Sequence, residues 1–257
     1  MITYFGKSDI GKKRSNNQDT FEVAELPAGA FLAVVCDGMG GAHGGKEAST
    51  IASSVFISYI KDKMQDADID GAMSLTGADV SKILSSAASA ANDSVYGRAR
   101  ENAALSGMGT TLAAVLFYDG CAYVANVGDS RVYIADKDHI EQVTHDHSYV
   151  QYLVDMGVMT EEEAKNAPNR NIITRAVGIE KDLETDVSTV SIPSDKTGET
   201  VVLICSDGLC GPLDETEIHG IITNGDEIEK QTEELIAAAN DKSGSDNITA
   251  VLIRPCE

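Results

Sequence analysis

Residues 110–135 have the sequence TTLAAVLFYDGCAYVANVGDSRVYIA, which is three short apolar runs separated by two turn sequences. Short runs rich in Val, Leu, Ile and aromatic residues, bounded by Gly and Asp, are typical of β-strands. The pair Asp119-Gly120 favours a tight hairpin turn between the first two runs. The tripeptide Gly128-Asp129-Ser130 indicates a second turn. The stretch therefore predicts a meander of three consecutive antiparallel strands, one for each run.

The rest of the chain shows both helical and strand periodicity. Residues 46–64 place apolar side chains at i, i+3 and i+4, which predicts an amphipathic helix. Further helices are predicted over 79–101 and 227–241, short helices within 148–168, and further strands over 2–5, 31–36, 200–205 and 247–254. Strands that pair with their sequence neighbours, with helices inserted in blocks, indicate an α+β fold with antiparallel sheets.

The composition is that of a globular protein, since 42% of the 257 residues are apolar and 24% are charged. A core of this size needs no disulfide or metal for folding. The chain has no low-complexity tract or long linker, so we expect residues 1–257 to form one domain. The 20 Lys and Arg against 41 Asp and Glu give a net charge of −21. This balance argues against nucleic-acid binding, which needs a basic surface, and suits either cation binding or simple solubility.

The five cysteines show no Cys-x-x-Cys spacing, and Cys36, Cys121 and Cys205 lie in strongly apolar sequence. A free cysteine in such surroundings acts as a small hydrophobic residue, so the pattern predicts free thiols in a reducing compartment. The longest apolar runs are too short to span a bilayer, and the N-terminus lacks the features of a signal peptide. We therefore expect a cytoplasmic protein that is not in the membrane.

Aspartates occupy the ends of the predicted strands: Asp37 and Asp207 each follow one, Asp246 precedes one, Asp129 lies in the second turn, and Asp19 ends the polar N-terminal segment. An Asp beside Gly is ordinarily a turn residue. Strand ends gather at one edge of a sandwich, however, so this pattern favours a carboxylate cluster. Unit charges about 4 Å apart repel by about 4 kcal/mol at an effective dielectric constant of about 20, so such a cluster needs cations. Oxygen ligands without Cys or His favour Mg²⁺ or Mn²⁺ over zinc.

Eight short motifs are distributed between residues 14 and 249. They are RSNNQD (14–19), DGMGG (37–41), GMGTT (107–111), GDSR (128–131), THDHS (144–148), ITRAVG (173–178), SDG (206–208) and DNIT (246–249). In these motifs and their order, the sequence resembles the bacterial branch of the metal-dependent type 2C (PPM) serine/threonine protein phosphatases. Any one motif is weak, whereas eight in order are highly specific.

The resemblance implies a four-layer α-β-β-α sandwich, in which two antiparallel β-sheets are flanked by helices and a two-metal centre lies at one edge. By position, Asp37 is expected to bridge both metals. The carbonyl of Gly38 is expected to bind one of them, and Asp207 and Asp246 to complete the other. The implied cofactors are two tightly bound Mn²⁺ or Mg²⁺ ions and a weaker third ion.

The resemblance assigns roles to three more residues. Asp19 is expected to orient a metal-bound water, and Asp129 is expected to share the weaker third cation with Asp207. Arg14 is expected to bind the substrate phosphate, because a guanidinium group offers two parallel donors to phosphate oxygens.

The chain departs from some family members at two positions. Met39 stands where some have histidine, so a general acid is missing there; either His43 or a metal-bound water could replace it, and we favour the water. Gln18 stands where some have glutamate, so its metal contact is expected to be weaker or through water. His145 and His147 could form a metal pair, but a polar turn is the preferred interpretation.

The predicted activity is Mn²⁺/Mg²⁺-dependent hydrolysis of phosphoserine and phosphothreonine in proteins, by direct attack of a metal-bridging hydroxide without a phosphoenzyme. Family resemblance further implies phosphoprotein partners, opposition to a Ser/Thr kinase, and a variable flap over 148–170; we expect a monomer. One alternative is a metal-free, inactive fold that binds phosphoproteins or acts as a regulator, which the presence of Asp37, Asp207 and Asp246 disfavours. A phosphatase for a small molecule or another phosphoprotein class stays open at this stage.

Overall fold

Two five-stranded antiparallel sheets stack face to face in the computed structural model, which describes residues 2–69, 75–192 and 200–255. The strands are β1 (Ile2–Asp9), β2 (Thr20–Glu25), β3 (Phe31–Cys36), β4 (Gly38–Met39), β5 (Gly109–Thr110), β6 (Leu112–Tyr118), β7 (Cys121–Val127), β8 (Arg131–Ala135), β9 (Ile140–Gln142), β10 (Asp186–Ser191), β11 (Val201–Cys205) and β12 (Ile248–Pro255). The helices are α1 (Gly41–Ile69), α2 (Gly77–Glu101), α3 (Tyr149–Asp155), α4 (Glu161–Asn166), α5 (Asp207–Cys210), α6 (Glu215–Ile222) and α7 (Ile228–Lys242).

The strand order is β1-β12-β11-β8-β9 in the first sheet and β10-β7-β6-β3-β2 in the second. The short strands β4 and β5 pair separately beside the second sheet. The predicted strands at 31–36, 121–127 and 131–135 have the observed bounds, and the other predicted strands and helices differ from the structure at their ends.

The chain changes sheets between β7 and β8, so the predicted three-stranded meander is wrong. β6 and β7 form the expected hairpin, but β8 pairs with β11 in the first sheet. The crossing occurs at Gly128, whose φ of 106° turns the chain out of the second sheet. The side-chain pattern of β8 does not distinguish the two pairings, because Val132 and Tyr133 pack on opposite faces whichever sheet the strand joins.

Alternating side chains on each strand build the layers. On β3, Leu32 and Val34 face the core beneath α1 and α2, whereas Ala33 and Val35 face the core between the two sheets. The other outer core lies beneath α6 and α7 and includes Leu252 of β12. The predicted α+β, four-layer α-β-β-α sandwich is therefore confirmed.

Three helices begin with reciprocal capping boxes, in which an N-cap oxygen and an acidic side chain three residues later satisfy each other's backbone amides. Thr160 caps α4 in this way, and Glu163 returns the hydrogen bond. Asp214 and Glu217 cap α6, a helix that the periodicity analysis missed although its capping signature is present in the sequence.

Strands β2, β9 and β10 were not predicted, and all three lie at sheet edges. Their side chains are partly or fully exposed, so they lack the continuous apolar runs of the central strands. No helix in the described ranges combines the length and apolar character needed to cross a membrane. The interpretation of residues 1–257 as one domain stays a prediction.

Candidate metal centre

Five aspartates meet at one edge of the sandwich. Asp19 precedes β2, Asp37 follows β3, Asp129 lies in the crossing from β7 to β8, Asp207 begins α5, and Asp246 precedes β12. Antiparallel pairing places the start of β2 beside the end of β3, and the end of β11 beside the starts of β8 and β12. Five separate segments therefore bring their carboxylates together, as strand-end geometry predicted; their roles as ligands stay predictions.

Asp37 lies at the centre of this cluster. Its carboxyl group lies beside those of Asp19 and Asp207. Burial raises the pKa of Asp37 well above its usual range, and the negative charges of Asp19, Asp207, Asp129 and Asp246 raise it further. The position therefore strongly favours a compensating positive charge.

Asp19 is the most enclosed member, with 2% of its surface exposed. Its Oδ2 accepts hydrogen bonds from Ser206 Oγ at 2.8 Å and from Thr249 Oγ1 at 2.6 Å, while its Oδ1 is buried without a hydrogen-bond partner. Burial raises the pKa of Asp19 to about 6, although the two hydroxyl donors act in the opposite direction. The side chain is thus fixed by Thr249 of β12 and by Ser206, the residue after β11, and its other oxygen has no hydrogen-bond partner.

Burial and neighbouring carboxylates raise the pKa values of both Asp129 and Asp207. Burial raises the pKa of Asp129 well above its usual range, followed by the charges of Asp207 and Asp146. Burial and then the charge of Asp246 raise the pKa of Asp207, whose buried Oδ1 has no hydrogen-bond partner. These two carboxylates are therefore near enough to influence each other's ionisation.

Arg14 lies at the rim of the cluster. Its Nη2 donates to Asp246 Oδ2 at 2.7 Å, and 49% of its side chain is exposed. The sequence predicted that Arg14 binds the substrate phosphate. The structure places Arg14 beside the predicted metal ligands, and its action on phosphate stays a prediction.

Two glycines of the motifs permit close packing of the backbone at this edge. A Cβ on Gly38 would lie 2.1 Å from the carbonyl oxygen of Gly45, and one on Gly208 would lie 1.9 Å from that of Asn247. Since a Cβ does not fit at either distance, Asp37-Gly38 and Asp207-Gly208 need glycine after the aspartate. The resemblance assigned the Gly38 carbonyl as a metal ligand and gave Gly208 no role.

Thr111 connects two of the aspartate segments, a role that the sequence analysis missed. Its Oγ1 accepts from the backbone amide of Asp37 at 2.9 Å and shares a hydrogen bond with Ser130 Oγ at 2.7 Å. Its own amide donates to the Asp37 carbonyl at 2.9 Å. The available signal was the position of Thr111 in the GMGTT motif, which had no assigned chemistry.

Asn247 was also missed, and it holds the N-terminal loop against β12. Its Nδ2 donates to the carbonyl oxygens of Ile10 and Asn16, and its Oδ1 accepts from the amide of Gln18. The loop that carries Arg14 is thus bound to the residue that follows Asp246. Its place in the DNIT motif was the only sequence signal.

The two histidines of the THDHS motif have separate partners. His145 Nε2 lies 2.9 Å from Asp155 Oδ2, whereas the buried His147 ring contacts Gly128 and Asp186. Arg175 pairs with Asp186 and Glu184. These contacts agree with the preferred interpretation of a polar turn over that of a metal pair.

Gln18 and Met39, the two departures from the family pattern, make different contacts. Gln18 donates from Nε2 to the carbonyl of Gly41 at 2.8 Å, which anchors the start of α1. Met39 lies beside Gly109 and supplies no titratable group. The side chain of His43, the proposed substitute acid, lies outside the described residues.

The donor set fits Mn²⁺ or Mg²⁺. It consists of oxygen atoms only, two of them buried without a hydrogen-bond partner, and burial together with neighbouring charge raises the pKa values of Asp37 and Asp129. Asp246 is paired with Arg14 and Asp19 with two hydroxyls, and no three His, Cys, Asp or Glu side chains in the described ranges are already arranged as a ligand set.

Known proteins match this chain in both sequence and structure. The sequence profile of the Protein phosphatase 2C family matches residues 6–252. A serine/threonine phosphatase stp from Listeria welshimeri is 33% identical over 247 residues, covering 96% of this chain and 93% of that protein.

Solved structures agree with the sequence match. The serine/threonine phosphatase PstP/Ppp of Mycobacterium tuberculosis is 30% identical and covers 100% of this chain and 99% of its own, with a TM-score of 0.85. The catalytic domain of a serine/threonine protein phosphatase PstP in complex with two manganese ions is 30% identical over the same shares, with a TM-score of 0.82. The chain belongs to the protein phosphatase 2C family of metal-dependent serine/threonine protein phosphatases.

Proposed function

We propose that this chain hydrolyses phosphoserine and phosphothreonine in proteins at the five-aspartate cluster. Asp37 and the carbonyl of Gly38 hold one cation, and Asp37, Asp207 and Asp246 hold a second. The observation that supports this proposal is the convergence of five aspartates from separate segments on one edge of the sandwich. A metal-free binding protein has no need for such a costly arrangement of like charges.

The remaining site residues act around this pair of cations. Asp129 and Asp207 share a weaker third cation, and Asp19 orients a water molecule through its partner-free Oδ1. Arg14 binds the phosphate from the rim, where its guanidinium is half exposed. Ser206 and Thr249 hold Asp19 in one orientation by donating to its other oxygen.

The reaction needs no protein nucleophile. Bound Mn²⁺ or Mg²⁺ supplies charge neutralisation for the phosphate dianion and a water that ionises near neutral pH. Burial raises the pKa of the Cys36 thiol, so this residue stays protonated and unreactive. The chain's own contribution is to collect the carboxylates, orient the ester through Arg14, and anchor both by hydrogen bonds.

The test is metal-dependent hydrolysis of an aryl phosphate by Asp37→Asn and Asp207→Asn. Each variant should lose turnover by more than about 100-fold, because cation stabilisation of the transition state is worth several kcal/mol. A chelator should abolish activity of the wild-type protein, and added Mn²⁺ should restore it. Near-normal turnover in either folded variant at limiting Mn²⁺ would contradict the two-cation assignment.

We infer that the protein acts as a cytoplasmic monomer, with residues 1–257 as its catalytic domain, and opposes a Ser/Thr kinase. A comparison of the phosphoproteome with and without the protein tests its opposition to a Ser/Thr kinase. Specific phosphoserine and phosphothreonine sites should accumulate in its absence. An unchanged phosphoproteome together with accumulation of a small phosphate ester would instead favour a small-molecule phosphatase.

A further inference from the structure

The ring of His147 is built into the turn that presents Asp129. The His147 side chain is buried, with 7% exposed. The Gly128 amide donates to His147 Nδ1 at 3.0 Å, and the His147 amide donates to the Gly128 carbonyl at 2.9 Å. Both peptide groups of Gly128 are thus bonded to one residue, and Asp129 follows directly.

These contacts assign the tautomer of His147. Since Nδ1 accepts a hydrogen bond from a peptide N–H, it carries no proton, and the ring hydrogen is on Nε2. Nε2 lies 3.1 Å from Asp186 Oδ2, to which it donates. Arg175 Nη1 donates to Asp186 Oδ1 at 2.7 Å, so Arg175 and His147 both donate to the same carboxylate. Arg175 Nη1 also lies 2.9 Å from His147 Nε2, but both nitrogens carry hydrogen, so no hydrogen bond forms between them.

The neutral state of the ring agrees with its surroundings. Burial lowers the pKa of His147, whereas the Asp186 carboxylate acts in the opposite direction. A neutral ring with Nε2 protonated keeps Nδ1 as an acceptor toward Gly128. Asp186 therefore supports the same tautomer that the Gly128 contact requires.

The turn before Asp129 requires glycine at position 128. Its φ is 106°, and a Cβ there would lie 2.6 Å from Thr111 Cγ2. On the other side of Asp129, Ser130 Oγ bonds to Thr111 Oγ1 at 2.7 Å. Asp129 is therefore held from both sides, by His147 through Gly128 and by Thr111 through Ser130.

We propose that His147 is a positioning residue for Asp129, acting through the acceptor at Nδ1. This inference rests on the proposed role of Asp129 as a ligand of the weaker third cation. The hydrogen bond fixes the peptide plane before Gly128 and, with it, the direction in which the Asp129 carboxylate points. Loss of the acceptor frees the Gly128 amide and leaves the other four aspartates in place, while the Gly128 carbonyl stays bonded to the His147 amide.

Two substitutions separate the two ring nitrogens. In His147→Asn, the side-chain oxygen can take the position of Nδ1 and accept from Gly128, but the side chain at position 147 no longer reaches Asp186. In His147→Gln, the amide nitrogen can take the position of Nε2 and donate to Asp186, but no acceptor remains for Gly128. The matched controls are His145→Asn and His145→Gln, because His145 lies two residues away and its side chain hydrogen-bonds only to Asp155 among the described residues.

The experiment measures Mn²⁺ binding by titration calorimetry, turnover on alkyl and aryl phosphates, and the melting temperature of each full-length variant. His147→Gln should keep the two tighter Mn²⁺ sites and weaken the weakest one about tenfold, the effect of one lost hydrogen bond. Its kcat should fall more on the alkyl than on the aryl phosphate, because the poorer leaving group depends more on protonation. His147→Asn should stay within about threefold of wild type, a difference smaller than one hydrogen bond, and the His145 controls should not change.

Three results would overturn the inference. Equal impairment of Asn and Gln variants, or a lower melting temperature with all Mn²⁺ sites intact in His147→Gln, would show that the ring only stabilises the fold. An Asp129→Ala variant that retains every wild-type Mn²⁺ site would remove the role of Asp129 and the inference with it. That last result is distinguishable from failure of the proposed function, which would require normal turnover in Asp37→Asn.

Discussion

Asp37 lies where an ionised side chain lowers the stability of the folded protein. Four other aspartates lie within electrostatic range, and burial alone already raises its pKa. An ionised carboxylate in this position opposes folding unless a cation compensates it. The position of Asp37 therefore agrees with its proposed role as a cation ligand and not with a contribution to the core.

Arg14→Ala should lower kcat/KM about 10- to 150-fold, because a charge-assisted hydrogen bond is worth about 1.5–3 kcal/mol. Mn²⁺ affinity should not weaken, since the substitution releases the Asp246 carboxylate from its ion pair. Steady-state kinetics and calorimetry measure the two effects. Lys12→Ala is the matched control, because Lys12 is exposed in the same loop and pairs with Asp241; an Arg14→Ala variant as active as this control would place Arg14 outside the site.

Among the secondary-structure elements, the junction from β11 to α5 both closes the sandwich edge and positions the Asp207 carboxylate. β11 is buried throughout and ends at Cys205, and α5 begins at Asp207, so the aspartate lies where the chain reverses. The reversal brings Gly208 against the backbone before β12. The same contact that closes the sandwich edge thus determines where the Asp207 carboxylate lies.

Gly208→Ala should destabilise the protein by about 1–3 kcal/mol, because the added Cβ must displace a backbone carbonyl and not a flexible side chain. It should also lower turnover, because Asp207 is the preceding residue. Gly97→Ala in α2 is the control: nothing lies within 4 Å of its Cβ position, and alanine should stabilise the helix by about 0.5–1 kcal/mol. Thermal unfolding of both variants gives the comparison, and equal melting temperatures would show that the junction adapts freely.

The segment over 148–170 presents exposed apolar side chains, among them Tyr152, Met156 and Val158. Met156→Ser and Val158→Ser should lower kcat/KM on a phosphoprotein about tenfold through lost apolar contact, and leave an aryl phosphate unaffected. The two substrates measured side by side make this test. Equal losses on both would mean that the segment supports the metal centre itself and does not contact protein substrates.

In the whole molecule, apolar packing stabilises the sandwich against the repulsion between the aspartates at its edge. Three apolar cores hold the four layers together, and the charged cluster lies outside all of them. The net charge of −21 adds a general repulsion to the local one. Stability of the metal-free protein should therefore depend on pH through the cluster.

Asp19→Asn should flatten that dependence between pH 5 and pH 7. The pKa of Asp19 is raised to about 6 in the fold, so the folded protein binds more protons than the unfolded chain, and stability falls as pH rises through that value. The wild-type protein should lose about 1–3 kcal/mol relative to the variant across this window. Melting curves in chelator measure the difference, and parallel curves for the two proteins would contradict it.

Much of the fold and site was predictable because it depends on local pattern. The buried strands at 31–36 and 121–127 are continuous apolar runs, and the helix α4 begins at a capping signature. The positions of the five aspartates at strand ends and the motif order were both visible in the sequence. These features follow from neighbouring residues, so the sequence alone determined them.

Only the tertiary structure decided which segments meet. β8 has the same alternating pattern in either sheet, so its pairing with β11 depends on the long-range register and on the left-handed turn at Gly128. The pairing of Arg14 with Asp246 and the bond from Gly128 to His147 join residues far apart in sequence. Such contacts depend on how complete layers stack, and the order of residues along the chain does not specify them locally.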